Sequence, residues 1–112
     1  MARMDSFDPS VIAALREDLP EEALTGILRT FEADLARLLG DLVAAAQAGQ
    51  REAYLHAAHA IAGAAGAVGL VGLAQEARIA MDPAQPEGPA AVVPRIMAQG
   101  RAGLEALKRT IG

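Results

Sequence analysis

The chain has 112 residues, no cysteine, ten basic against fourteen acidic side chains and a net charge of −4. The length predicts one domain spanning residues 1–112, large enough to bury a core without staples or metals. The lack of cysteine excludes a disulfide scaffold, a thiolate metal site and a cysteine nucleophile, as expected of a cytoplasmic protein, and the acidic balance offers no footprint for a phosphate backbone, so no nucleic-acid partner is expected.

At the N-terminus, "MARMDSFDPS" lacks the apolar run of a secretory signal, so export is not expected. Met1 lies close enough to the first predicted helix that a free-standing protein is expected. In "FDPSVIAALRED", Asp8 supplies an N-cap and Pro9 the first helical position, with Val11, Ile12 and Leu15 on one side. This predicts a short leading helix over residues 9–17. Pro20 starts the next, over residues 20–48. There Leu24, Ile27, Leu28, Phe31, Leu35, Leu38, Leu39 and Leu42 recur at spacings of three and four, while Arg29, Glu32, Asp34, Arg37 and Asp41 take the other face. The helix should end near "QAGQ", where Gly49 can adopt a left-handed conformation.

A third helix is predicted over residues 51–68 and a fourth over 70–81, with Gly69 at the joint. Residues 60–75 carry no charge but are mostly Ala and Gly, short of the roughly 20 strongly apolar residues that span a bilayer, so no membrane segment is expected. "MDPAQPEGPAAVVP" holds four of the six prolines and reads as the one long loop. The last helix is expected to begin near Val93 or Pro94 and run to 111, with Ile96, Met97, Leu104, Leu107 and Ile111 on its apolar side; deeper in a helix, Pro94 would force a kink. These elements predict an all-α fold: an antiparallel four-helix bundle with a short additional N-terminal helix.

The third helix carries the unusual stretch "AHAIAGAAGAVG", residues 58–69. At about 100° per residue with Tyr54 at zero, Ala57, Ile61, Ala65 and Val68 fall within about 60° of Tyr54 and form the core side. His59, Gly63 and Gly66 lie opposite, at about 140°, 180° and 120°, with His56 near 200° and Ala62 near 80°. A solvated face is ordinarily filled with Lys, Glu or Gln, and glycine inside a helix costs about 1 kcal/mol relative to alanine. Small residues around an exposed imidazole leave room for another molecule, so this stretch reads as a docking surface centred on His59. Two other readings stand beside it. Ala and Gly also serve a helix squeezed between neighbours, and an imidazole is often only a polar surface residue. Glu52, His56 and His59, spaced one turn apart, resemble part of a metal site, but a structural zinc site needs a fourth ligand that no nearby sequence offers, and the Glu-x-x-His pairs of di-iron bundles are absent. No metal and no cofactor are expected.

Over almost its whole length the chain resembles the histidine-containing phosphotransfer (HPt) domain family of two-component phosphorelays. "FDPSVIAALRED", "LRTFEADLARLLGDLVAAAQAG" and "LHAAHAIAGAAGAVGLVGLAQEA" look like successive parts of that family's pattern. The family signature is an alanine-histidine pair, an apolar residue two positions on, lysine then glycine, and a second glycine ten residues beyond the histidine; Ala58, His59, Ile61, Gly63 and Gly69 match it, and Leu73 falls where an aliphatic residue is usual. The resemblance implies that His59, and no other residue, is the phosphorylated one and that aspartates of receiver domains with their own Mg²⁺ are donor and acceptor; His56 matches no functional position of the motif, and it is the helical placement around His59 that puts His56, Ala62, Gly63 and Gly66 on the expected docking face. Two positions depart: the family lysine three residues after the histidine is Ala62, and a small polar residue after the glycine is Ala64. Losing the lysine removes a charge-assisted interaction with the phosphoryl group.

The residue chemistry agrees with a carrier. An imidazole with an unperturbed pKa near 6.5 keeps a free ring-nitrogen lone pair at neutral pH for in-line attack on phosphorus, and Gly63 leaves space beside it. An autonomous kinase or ATPase is not expected, because no Gly-rich loop followed by Lys and Ser/Thr is present. The expected function is a phosphocarrier that relays a phosphoryl group through His59 to or from receiver domains, as a monomer. The alternative is a non-transferring bundle that docks or dimerises through the same small-residue face.

Overall fold

The computed structural model describes residues 7–84 and 87–111, and these contain five helices and no strand. The residues of the N-terminal segment before Phe7, together with Gln85 and Pro86 of the predicted loop, lie outside the described residues. The helices are α1 (Pro9–Asp18), α2 (Glu21–Ala48), α3 (Arg51–Ala67), α4 (Val71–Met81) and α5 (Pro89–Ile111). For α1 to α4, the ends differ from the sequence expectation by no more than one residue, within the ordinary fraying of helix termini. α2 packs on α3, α3 on α4 and α4 on α5, and α5 closes back on α2. That ring of contacts is an antiparallel four-helix bundle, with α1 as the additional short helix packed against α2.

The core follows from the spacing in α2. Leu24, Leu28, Leu35, Leu39 and Leu42 form its buried stripe, each side chain contributing about 1.5–3 kcal/mol on removal from water. Ile27, although in the same periodic series, sits at the edge of the stripe and is 36% exposed. Opposite α2, the inner sides of α3, α4 and α5 bury Ile61, Leu73, Val92, Ile96 and Leu107. Apart from the Tyr54 phenol, no polar or charged side chain is buried among the described residues.

α1 is capped as its sequence requires: the Asp8 carboxylate accepts hydrogen bonds from the Ser10 backbone N–H at 3.0 Å and the Ser10 hydroxyl at 2.7 Å. It is also tied to the α3–α4 turn, where the Asp8 N–H donates to the Gly69 carbonyl at 2.7 Å. Gly69 has φ +83°, and a Cβ there would sit 2.4 Å from the Asp8 carbonyl oxygen. Only glycine meets both the left-handed backbone and the close approach. At the other end of the bundle Gly49, with φ +68°, closes α2 as expected.

The last helix corrects the sequence expectation. α5 starts at Pro89, not near Val93 or Pro94, and Pro94 lies inside it. Pro89 takes the first position, where a missing N–H costs nothing, and the Gly88 carbonyl accepts from the N–H groups of Ala91 and Val92 at 3.0 and 3.1 Å. Val92 and Ile96, one turn apart, are both fully buried, so the segment before Pro94 has a core face of its own. The proline removes the N–H that would reach the carbonyl of Ala90, and both residues are exposed, where water can satisfy that carbonyl. Arg95 then fastens this end: its Nε donates to the Glu76 carboxylate of α4 at 2.9 Å, and its Nη2 to Glu87. The two carboxylates hold the guanidinium above its usual pKa, Glu87 contributing most.

Candidate functional site

α3 is gripped from both sides, by α2 and by α4. Its inward side chains Tyr54, Ala57, Ala58, Ile61 and Ala65 are buried, and burial pushes the Tyr54 phenol above its usual pKa, so it stays protonated at neutral pH. The helix therefore offers a rigid rod whose outer face is set by core packing. On that outer face His59, Gly63 and Gly66 are exposed, as is His56. A Cβ added at Gly63 or Gly66 would meet nothing within 4 Å. These glycines give no room to another helix of this chain; the space they leave open is on the outside. That removes the squeezed-helix account of this face.

The two imidazoles look different ways. His56, with Ala60 and Ala64, lines a groove between α3 and α2 whose far wall carries Asp34, Arg37 and Asp41. Arg37 is held there between Asp34 at 3.8 Å and Asp41 at 3.4 Å. His59 is exposed and is not part of that groove; at about 140° from Tyr54 on the helix it belongs to the other flank of the outer face. Neither imidazole makes a side-chain hydrogen bond among the described residues, so ring nitrogens of both stay open to an external group. Among the described residues no three His, Cys, Asp or Glu side chains converge where a metal ion could be held.

Ala62 departs from the expected docking face. It is only 8% exposed and belongs to the buried cluster, because a position about 80° from the centre of the core side is still covered when a neighbouring helix packs on that flank. It offers a partner little beyond the edge of a methyl group. The site as placed is thus His59 with Gly63 and Gly66 beside it, His56 one turn earlier on the adjoining flank, and Ala62 beneath.

The family model of the Hpt domain matches residues 26–110, which include α3 and all of its outer face. The chain belongs to the Hpt domain family. Within solved structures, this Hpt domain is similar to the crystal structure of histidine-containing phosphotransfer protein B (HptB) from Pseudomonas aeruginosa PAO1, with 27% sequence identity, a TM-score of 0.84, and coverage of 95% of this chain and 94% of that one. No curated protein matches it. The family match begins inside α2 and leaves α1 out. No helix among the described residues of this Hpt domain is long and apolar enough to cross a membrane.

Two residues that seat α5 against its neighbours, away from the α3 face, are not prominent in the sequence. A Cβ at Gly100 would lie 2.6 Å from Leu39 Cδ1, and one at Gly103 would lie 2.9 Å from Leu70 Cδ1. Their signal is a pair of glycines three apart inside a strongly amphipathic helix, which marks a helix surface where neighbouring side chains come close.

Proposed function

We propose that this Hpt domain is a phosphocarrier: His59 accepts a phosphoryl group from an aspartyl phosphate of a receiver domain and passes it to an aspartate of another. The observation that supports the reading is an unpartnered, exposed imidazole flanked by two glycines whose Cβ positions are empty, and the sequence resemblance points to the same His59 as the phosphorylatable residue. In the forward step a ring-nitrogen lone pair attacks phosphorus in line; the N–P bond forms as the P–O bond to the aspartyl oxygen breaks, and the carboxylate leaves with the electron pair. The proton on the other ring nitrogen passes to solvent as the phosphoimidazole becomes neutral. The reverse sequence delivers the group to the next aspartate. The carrier's part is positioning on a rigid helix, while the receiver supplies most of the electrostatics. Neither a kinase nor an ATPase activity is needed.

The test is transfer from a labelled, phosphorylated receiver domain to wild type, His59→Gln and His56→Gln, scoring acid-labile, base-stable label. Label on wild type and His56→Gln, absent from His59→Gln, supports the carrier. A second reading rests on Ala62, which stands where the family has lysine: a bundle that docks receivers without accepting phosphoryl. Receiver binding unaffected by His59→Gln, with no label from any of a panel of receivers, would favour it.

A further inference from the structure

The position of the family lysine holds Ala62, which is buried, so a cation for the phosphoryl group has to come from elsewhere if transfer is to be assisted by this chain. The flanks of α3 and α4 are fixed by independent contacts. On α3, the residues lining the α2 groove, Ala53, His56, Ala60 and Ala64 among them, fall between about 200° and 300° on the helical wheel with Tyr54 at zero. α4 covers the opposite flank, where Ala58 and Ala62 are buried, and His59 at about 140° is the exposed residue beside that seam.

On α4, Glu76 is paired with Arg95 of α5, which marks one flank as the α5 side. With Leu73 at zero, Glu76 stands at about 300°, and the flank facing α3 is therefore near 100° to 160°, where Ala74 is buried and Arg78, at about 140°, is exposed. Arg78 and His59 thus border the same seam from its two sides. They also stand at nearly the same height: from the helix ends at the Gly69 turn, His59 is eight residues before Ala67 and Arg78 seven residues after Val71, roughly 12 Å and 10.5 Å along antiparallel helices. Packed helices lie about 8–10 Å apart, a gap that an arginine stem and a phosphoimidazole together bridge. Among the described residues Arg78 has no ion-pair partner; Arg16, Arg37 and Arg95 are each engaged by carboxylates, and Glu76, the nearest acidic residue on the same helix, is turned to α5 by Arg95.

We infer that Arg78 is the cation for the phosphoryl group carried on His59, reaching it across the α3–α4 seam in place of a lysine on α3. This rests on the phosphocarrier reading. Arg78 makes and breaks no bond in the transfer; its guanidinium donates to the non-bridging oxygens of the phosphoryl group, two at a time where geometry allows.

The test uses the full chain as wild type, Arg78→Gln, Arg78→Lys and, as a control on an exposed α5 arginine, Arg101→Gln. Each is loaded with phosphoramidate, which needs no partner protein, and the phosphohistidine is titrated by ³¹P NMR, the His59 signal being identified by its loss in His59→Gln. In parallel, the initial rate of transfer from phosphorylated receiver domains is measured. Arg78→Gln is expected to raise the phosphoryl titration midpoint by about half a unit and to slow transfer about three- to tenfold, while Arg78→Lys keeps most of both and Arg101→Gln changes neither. Transfer to wild type with a titration that Arg78→Gln leaves unmoved overturns this inference and leaves the carrier standing. Failure of the whole receiver panel to label wild type overturns the carrier, and the role of Arg78 goes with it.

Discussion

Replacing Gly69 with alanine tests how the α3–α4 turn and α1 are held together. The residue is buried, with φ +83°, and the new Cβ would stand 2.4 Å from the Asp8 carbonyl oxygen and 3.3 Å from Val11 Cβ. A left-handed alanine costs about 1–2 kcal/mol. The contact with a backbone oxygen cannot be relieved by turning a side chain, so α1 has to shift, at an overpacking cost of about 1–3 kcal/mol. The hydrogen bond from Asp8 N–H to the Gly69 carbonyl is strained by the same movement and is worth about 1 kcal/mol. Allowing for overlap between these contributions, a loss of about 2–4 kcal/mol is expected. Gly49→Ala supplies the comparison: φ is +68° there too, but a Cβ would meet nothing within 4 Å, so only the backbone cost of about 1–2 kcal/mol applies. Urea unfolding followed by circular dichroism measures both, and hydrogen exchange at the Asp8 amide reports whether α1 lets go. Equal losses at the two glycines would refute the reasoning, because the close approach to α1 would then contribute nothing.

Gly63→Ala is expected to stabilise the fold by about 1 kcal/mol, since the position is an exposed helix interior with empty space around the Cβ; Gly63→Leu should fold equally well and yet lose transfer from a phosphorylated receiver, opposite signs that unfolding midpoints and label transfer read separately. The Asp8 carboxyl lies below its ordinary pKa, chiefly through the Ser10 hydroxyl and then the Ser10 N–H. A folded-state pKa below the unfolded one stabilises above the unfolded value, and the gain is lost as pH falls through the folded one. The unfolding midpoint of wild type should therefore drop more steeply than that of Asp8→Asn below about pH 4, and parallel profiles from pH 5 to 2.5 would contradict the cap.

Much of the bundle was legible because its helices obey local rules. The leucine spacing of α2, the Asp8–Pro9 start of α1 and the positive-φ glycines at 49 and 69 each express a constraint contained within a few residues. The core side of α3 was legible in the same way, and with it the outward placement of His56, His59, Gly63 and Gly66. Ala62 was not, because residues at the border of a helical face are buried or exposed according to what covers them, and that depends on α4. The start of α5 is not legible locally, since Pro94 carries a strong stop signal, whereas the burial of Val92 against the rest of the bundle is a tertiary effect. The pairing of Arg78 with the level of His59 is likewise invisible in either helix alone; it arises from the turn at Gly69 and from Arg95 drawing Glu76 to the far flank.

The two glycines of α5 also set how far along its axis that helix can sit. Leu39 of α2 comes up against Gly100, and Leu70, at the head of α4, against Gly103. Sliding α5 by three or four residues, one turn or about 5.4 Å, in either direction leaves at least one of those leucines facing a side chain instead of a hydrogen atom. The helix thus works as a notched bar, locked lengthwise by teeth from two neighbours, and this brings Arg95 level with Glu76. In a core otherwise built of aliphatic side chains and Tyr54, two missing side chains thus help to fix a single seating.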